Sequence, residues 1–235
     1  MTLDELERRY PSFAEFTETM PRDIRDRCVV RIHPKGSIVH RKDMELDFFG
    51  IVAEGESRVV NEFENGSVYM IEKNAAPDFV GEVTILARMK TTSVTIQALT
   101  NMTVAYICRS DAERWLFSDI DALRAVAGTV AFKLYRSSRS NGAKLFYPPS
   151  FLLMDHLVKL GEDEGLGGPR SPGSVTVRKT RRELQEELGI NVKTLDRTIR
   201  SLRGTGLLDV EKGKITFTLE QYRRALPWLR AKSAE

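Results

Sequence analysis

The stretch 180–203, TRRELQEELGINVKTLDRTIRSLR, constrains the chain more than any other, because its spacing admits little besides two short helices joined by a tight turn. Thr180 and Glu183 have the spacing of a capping box, in which each side chain satisfies an orphan backbone N–H at the start of a helix. Leu184 and Leu188 fall on one face, Gly189 supplies the turn, and Asn191 is a good N-cap for a second helix carrying Leu195, Ile199 and Leu202. Those apolar positions face the first helix. The opposite side carries Val192, Lys193, Asp196, Arg197, Arg200 and Arg203. A charged face alone indicates only solvent. Joined to a capped helix pair with a central glycine, it reads as a helix-turn-helix whose second helix lies in the DNA major groove. The candidate contacts are Thr180, Arg181, Val192, Lys193, Thr194, Asp196, Arg197 and Arg200. Lys193 and Arg197 have the donors to read guanine, Val192 suits a thymine methyl, and Thr194 a phosphate.

Charge follows the same division. The chain has 235 residues and 41% hydrophobic residues, enough for one large or two modest domains, and its net charge is only +3. Before Pro148 there are 20 basic against 21 acidic residues, and from Pro148 onward 16 against 12, so the basic excess accompanies the helix-turn-helix. Nowhere do 18 apolar residues run together as a spanning helix requires, and the start MTLDELERRYPSF is acidic and amphipathic. A soluble, cytoplasmic protein without membrane contact is expected. Cys28 and Cys108 are too few for an all-cysteine cluster or zinc site, and read as small buried apolar residues. His33, His40 and His156 are isolated, so no metal site is expected. No phosphate-loop, dinucleotide or nucleophile-elbow pattern occurs, and the chain does not read as an enzyme.

Residues 3–20 place Leu3, Leu6, Tyr10, Phe13 and Phe16 at helical intervals broken by Pro11. From Cys28 the pieces CVVRI, SIVH, FFGIVA, SRVVNEF, SVYMIE, SVTIQALT and TVAYIC follow, separated by turn signals at 34–36, Gly55 and Asn65-Gly66. Seven or eight strands at this spacing predict a compact β-barrel or sandwich. Ser110 and Glu113 form a second capping-box pattern, and Ser118 is the expected cap of a longer helix. In that helix Ile120, Leu123, Ala127, Val130 and Leu134 repeat by three and four. Two heptads fit a dimer seam or an ordinary helix against its own β-domain; a helix-turn-helix reading two half-sites favours the dimer. Asn141-Gly142 and Pro148-Pro149 mark a hinge, and an apolar helix FLLMDHLVKL and a Gly/Pro/Ser loop follow. The hairpin around Lys212-Gly213 then reads as a wing, and a terminal helix over 219–230 is limited by Pro227.

Taken together, these residues resemble the Crp/Fnr family of bacterial transcription regulators. The resemblance runs from about Cys28 to Phe217 and rests on Gly36 with Ile38, FFGIVAEG ending at Gly55, Phe79-Val80-Gly81-Glu82, the triplet Ala98 to Thr100, the long helix and the helix-turn-helix. It implies an α+β fold: an N-terminal double-stranded β-helix (β-roll or jelly roll) sensor over 1–117, a dimerisation helix and hinge over 118–147, and a winged helix-turn-helix domain over 148–235. It also implies a homodimer on a near-palindromic double-stranded operator, with RNA polymerase as a further candidate partner. The effector pocket would include Gly81, Glu82, Thr92 and Ser93. In cyclic-AMP-binding relatives a Gly-Glu pair holds the ribose and an arginine holds the cyclic phosphate; Gly81 and Glu82 match the pair, but Thr92 stands at the arginine position. Lys193 likewise replaces the family glutamate of the recognition helix, and the four cysteines of the iron–sulfur branch are absent. The expectation is therefore a small-molecule effector other than cyclic AMP, with Lys90 the nearest substitute cation. The competing reading is a ligand-binding module whose winged helix contacts protein in place of DNA.

Overall fold

The computed structural model describes residues 1–141 and 146–233. Its contacts divide the chain into two compact units, Met1–Ser138 and Arg139–Glu235.

The first unit opens with three short helices, α1 (Leu3–Arg9), α2 (Pro11–Ala14) and α3 (Arg22–Arg25). Thr2 and Glu5 form a capping box on α1, and Pro11 starts α2, a position where its missing N–H costs nothing. Eight strands follow: β1 (Val29–His33), β2 (Ile38–His40), β3 (Phe48–Glu54), β4 (Glu56–Glu62), β5 (Val68–Ala75), β6 (Asp78–Val80), β7 (Thr95–Ala98) and β8 (Met102–Cys108). They build two antiparallel four-stranded sheets, ordered β1-β8-β3-β6 and β2-β7-β4-β5. Alternation along β3 explains how the layers close. Phe49, Ile51 and Ala53 pack with Leu6, Phe13 and Trp115 on the helical side, whereas Val52 joins Val80, Ile96 and Val104 between the sheets. The seven expected strand segments correspond to seven of these strands; β6 is buried along its whole length and shows no alternation.

Between β6 and β7 lies α4 (Glu82–Leu86), and after β8 come α5 (Arg109–Ser118) and the long α6 (Ile120–Asn141). Two expected caps are displaced. Cys108, not Ser110, precedes α5, and Glu113 pairs with Arg109 at 2.7 Å instead of reaching back to Ser110. Asp119, not Ser118, caps α6: its Oδ1 accepts from the N–H groups of Asp121 and Ala122, both at 2.9 Å, while Ser118 donates back to Arg114 and Trp115 carbonyls. Cys108 is also exposed instead of buried, its thiol donating to Asp111 at 3.2 Å.

The second unit contains α7 (Pro149–Asp163), β9 (Ser174–Thr176), α8 (Arg181–Leu188), α9 (Val192–Gly204), β10 (Asp209–Glu211), β11 (Lys214–Thr218) and α10 (Leu219–Ser233). Its sheet has the order β10-β11-β9, and Lys212-Gly213, both at positive φ, turn the expected hairpin. One core joins Leu153, Leu157, Leu184, Leu195, Ile199, Leu208 and Phe217. Pro227 does not end α10, which runs on to Ser233; a proline removes one backbone hydrogen bond but does not forbid helical continuation on either side. The expected hinge includes Gly142, which lies outside the described residues.

Candidate functional site

A cavity of about 380 Å³ opens in the first unit, between α6 and the sheet of β2, β7, β4 and β5. Gly81 begins it, with φ at 88°, in the left-handed region. A Cβ there would meet Leu46 Cδ2 at 3.0 Å and the Phe48 carbonyl at 3.1 Å, so glycine lets the chain pass close to β3 and deliver Glu82 inward. Glu82 is 5% exposed. Its partner comes from α6: Lys133 Nζ lies 2.8 Å from Glu82 and 2.6 Å from Asp78 of β6. Burial pushes both carboxyls above their ordinary range, and Lys133 opposes this without cancelling it. Burial also works against the Lys133 ammonium, but Glu82 and Asp78 outweigh it, and its pKa ends above the usual lysine value.

The helix is fastened at a second point three residues on. Arg136 donates to Glu72 Oε1 at 2.8 Å and to Asn74 Oδ1 at 2.6 Å, both on β5. Glu72, Asn74 and His40 line the cavity with Lys133, and burial holds the His40 imidazole below its ordinary pKa. The remaining wall is mostly hydrocarbon: Val59, Ile71, Val94, Ile96, Val130 and Leu134.

Of the four pocket residues expected from the sequence, Gly81, Glu82 and Ser93 line this cavity and Thr92 does not. The Thr92 hydroxyl is instead consumed by the Arg41 carbonyl, in the short connection beyond β2. Lys90, the expected substitute cation, is exposed and outside the cavity wall. The cation is Lys133, one helical stripe away from the seam positions. Its signal was present: Ala122, Val126, Thr129 and Lys133 follow one another by four, three and four, and the first two are buried in the β-domain core. Choosing that stripe over its neighbour requires knowing which side of α6 meets the sheets.

In the second unit the helix-turn-helix is built as its residues dictate. Thr180 and Glu183 complete the capping box, Gly189 closes α8 at φ 71°, and Asn191 Oδ1 accepts from Thr194 N at 2.8 Å. The Gln185 side chain accepts from Val192 N at 3.1 Å, tying the turn to α9. Leu195, Ile199 and Leu202 are buried, and Lys193, Arg197, Arg200 and Arg203 are exposed. Arg181 and Asp196 pair with each other at 3.1 Å, and Val192 and Thr194 are half-buried. Thr180 is exposed at the start of α8.

On α6, Ile120 and Leu134 are 65% and 67% exposed, with Ala127 also exposed, while Leu123 and Val130 are half-buried. Val130 and Leu134 additionally wall the cavity. The helix thus has two working faces, one fastened to its own β-domain and one apolar and open.

Two layers of antiparallel strands closed by a long helix, and a winged helix-turn-helix, define the class: a β-roll domain in one chain with a winged helix-turn-helix fold. Residues 30–119 match the cyclic nucleotide-binding domain family. The chain as a whole has the fold of the Crp/Fnr transcription regulators. It superposes on the c-di-GMP responsive global regulator CLP of Xanthomonas campestris with a TM-score of 0.68 at 16% identity, over 88% of this chain and 98% of that one. A CRP/FNR-family transcriptional regulator of Thermus thermophilus gives 0.63 at 18%, over 84% and 97%. FixK2 of Bradyrhizobium japonicum gives 0.59 at 16%, over 84% and 96%. Among curated protein sequences nothing matches. No helix among the described residues is long and apolar enough to cross a membrane.

The one lysine or arginine lining the cavity among the described residues, Lys133, is already paired, which bears on the cyclic phosphate that the domain family's description implies. A buried phosphate needs a cation or several donors to replace its hydration. Lys133 is committed to two carboxylates, Arg136 to Glu72 and Asn74, and Thr92 to a backbone carbonyl.

Proposed function

We propose that the protein is a homodimeric, sequence-specific DNA-binding transcription regulator of the Crp/Fnr type, cytoplasmic and without enzymatic activity. One observation carries this reading: Lys193, Arg197 and Arg200 stand at i, i+4 and i+7 on the exposed side of α9 and make no ion pair or hydrogen bond among the described residues. A surface helix usually answers such charges with neighbouring acids. Here the one acidic residue of α9, Asp196, is turned to Arg181, which leaves an unbroken cationic stripe of the kind that enters a major groove. Lys193 and Arg197 read base edges, Val192 packs on a thymine methyl, and Thr180, Thr194 and Arg200 contact the backbone. The wing lysines Lys212 and Lys214, both exposed, are placed for phosphate.

The open apolar face of α6 supports the dimer. Ile120, Ala127 and Leu134, with Tyr135 beside Leu134, leave apolar side chains exposed along one side of the helix, the kind of surface that marks association. A partner helix laid on it would cover the cavity wall at Val130 and Leu134, so that occupancy of the cavity and geometry of the dimer would influence each other. RNA polymerase is the natural further partner of such a regulator.

Selection of bound sequences from random duplex DNA tests the proposal. Enrichment of a two-fold symmetric motif, bound with affinity that falls steeply with salt, is expected. Failure to enrich any sequence, with binding insensitive to salt, overturns it and leaves the winged helix as a protein-contact module.

A further inference from the structure

The charges around the cavity do not balance. Glu72 and Arg136 answer one another, but Asp78 and Glu82 share the single ammonium of Lys133. Among the described residues the cluster is one positive charge short of neutrality, in a wall otherwise made of Val59, Ile71, Ile96 and their neighbours. His40 does not supply the missing charge, since its burial favours the neutral imidazole. The volume, about 380 Å³, lies at the small end of the roughly 300–1,000 Å³ typical of ligand pockets.

We propose that this cavity binds a small, largely apolar molecule carrying one positive charge, its ammonium or amidinium head on Glu82 and its hydrocarbon or aromatic body against Val59, Ile71 and Ile96. Each carboxylate then has its own cation, Lys133 remaining on Asp78 and the ligand taking Glu82. Burial makes both carboxylate charges costly, and Lys133 answers the two with one ammonium. Protonating Glu82 or Asp78 removes the charge that the ligand answers, so affinity rises with pH. The other groups facing the site do not reverse this sign: Glu72 is held by Arg136, and protonation of His40 at low pH repels the same cation. An anionic ligand meets the opposite situation, since it must pull Lys133 from two carboxylates and leave them buried and unpaired.

This inference rests on the first unit being a ligand-sensing domain, not on the DNA-binding reading, and its test contains no DNA, so the two fail separately. The full chain is titrated calorimetrically at neutral pH with three molecules of one aromatic body: 2-phenylethylamine, 2-phenylethanol and 3-phenylpropionate. The amine is expected to bind, the alcohol roughly tenfold more weakly, and the carboxylate not at all. Glu82→Gln and Asp78→Asn, both nearly isosteric, each weaken the amine by roughly tenfold, and Lys133→Gln strengthens it. Should Lys133→Gln fail to fold, the two isosteric variants still decide. The proposal is overturned if the amine gives no heat at millimolar concentration, if Glu82→Gln binds it like the parent, or if 3-phenylpropionate, cyclic AMP or cyclic di-GMP binds more tightly than the amine.

Discussion

Lys193 and Arg197 stand one turn apart on α9, exposed and pointing away from Leu195 and Ile199. A bidentate donor on guanine discriminates by about 1–3 kcal/mol, so Arg197→Ala should lose that much on the selected site and little on random duplex; equal losses would reduce Arg197 to a backbone contact. Lys193→Glu exchanges donors for acceptors and should move the preference at its base pair from guanine toward cytosine, read by repeating the selection. The two cysteines separate in the same way by environment. Cys28 is half-buried and its thiol is pushed up to about 11 by burial, whereas Cys108 is exposed. A thiol reagent at pH 7.5 should titrate one group in the native protein and two in denaturant, and alkylation should map to Cys108. Fast reaction at Cys28 would contradict the packing around β1. These residues were legible to different degrees. Arg197 follows from helical spacing, but the exposure of Cys108 depends on its place at the end of β8, where the strand leaves the sheet.

Helices show how far local sequence reaches. The boxes at Thr2 and Thr180 form because the threonine is the first non-helical residue and the glutamate three positions on reaches back to its N–H. Ser110 and Ser118 carry the same chemistry yet do not cap, because Arg109 captures Glu113 and Asp119 offers a charged acceptor one residue later. Thr180→Ala removes the hydroxyl that accepts from Glu183 N and should lower the stability of the second unit by about 1 kcal/mol, measured by denaturant unfolding of the full chain. A change within a few tenths would mean that core packing alone fixes the start of α8. Which stripe of α6 is buried is likewise not a property of the helix. Ala122, Val126, Thr129 and Lys133 lie on one side and Ile120, Leu123, Ala127, Val130 and Leu134 on another, and both stripes repeat by three and four.

For the whole molecule, the open face of α6 carries the proposal of a dimer. Ala127 is exposed and does not line the cavity, so Ala127→Asp places a charge on that face while sparing the ligand site. Sedimentation should shift from dimer to monomer, and binding to a symmetric operator with half-sites about 10 bp apart should be lost. Unchanged sedimentation would remove α6 as the interface. The sequence by itself determined the elements whose signals are local: the capped helix pair with its glycine turn, the alternating strands and the wing. Each rests on contacts within a few residues, where backbone preference and side-chain period suffice. Only the tertiary structure decided the chemistry of the cavity. Asp78, Glu82 and Lys133 are brought within hydrogen-bond distance by the closure of two sheets under a helix some fifty residues away in sequence, as Lys133 is from Glu82. Nothing local marks a lysine as the partner of a buried acid. That assignment depends on which stripe of α6 turns inward, and burying its apolar side chains against the β-domain core is what chooses the stripe.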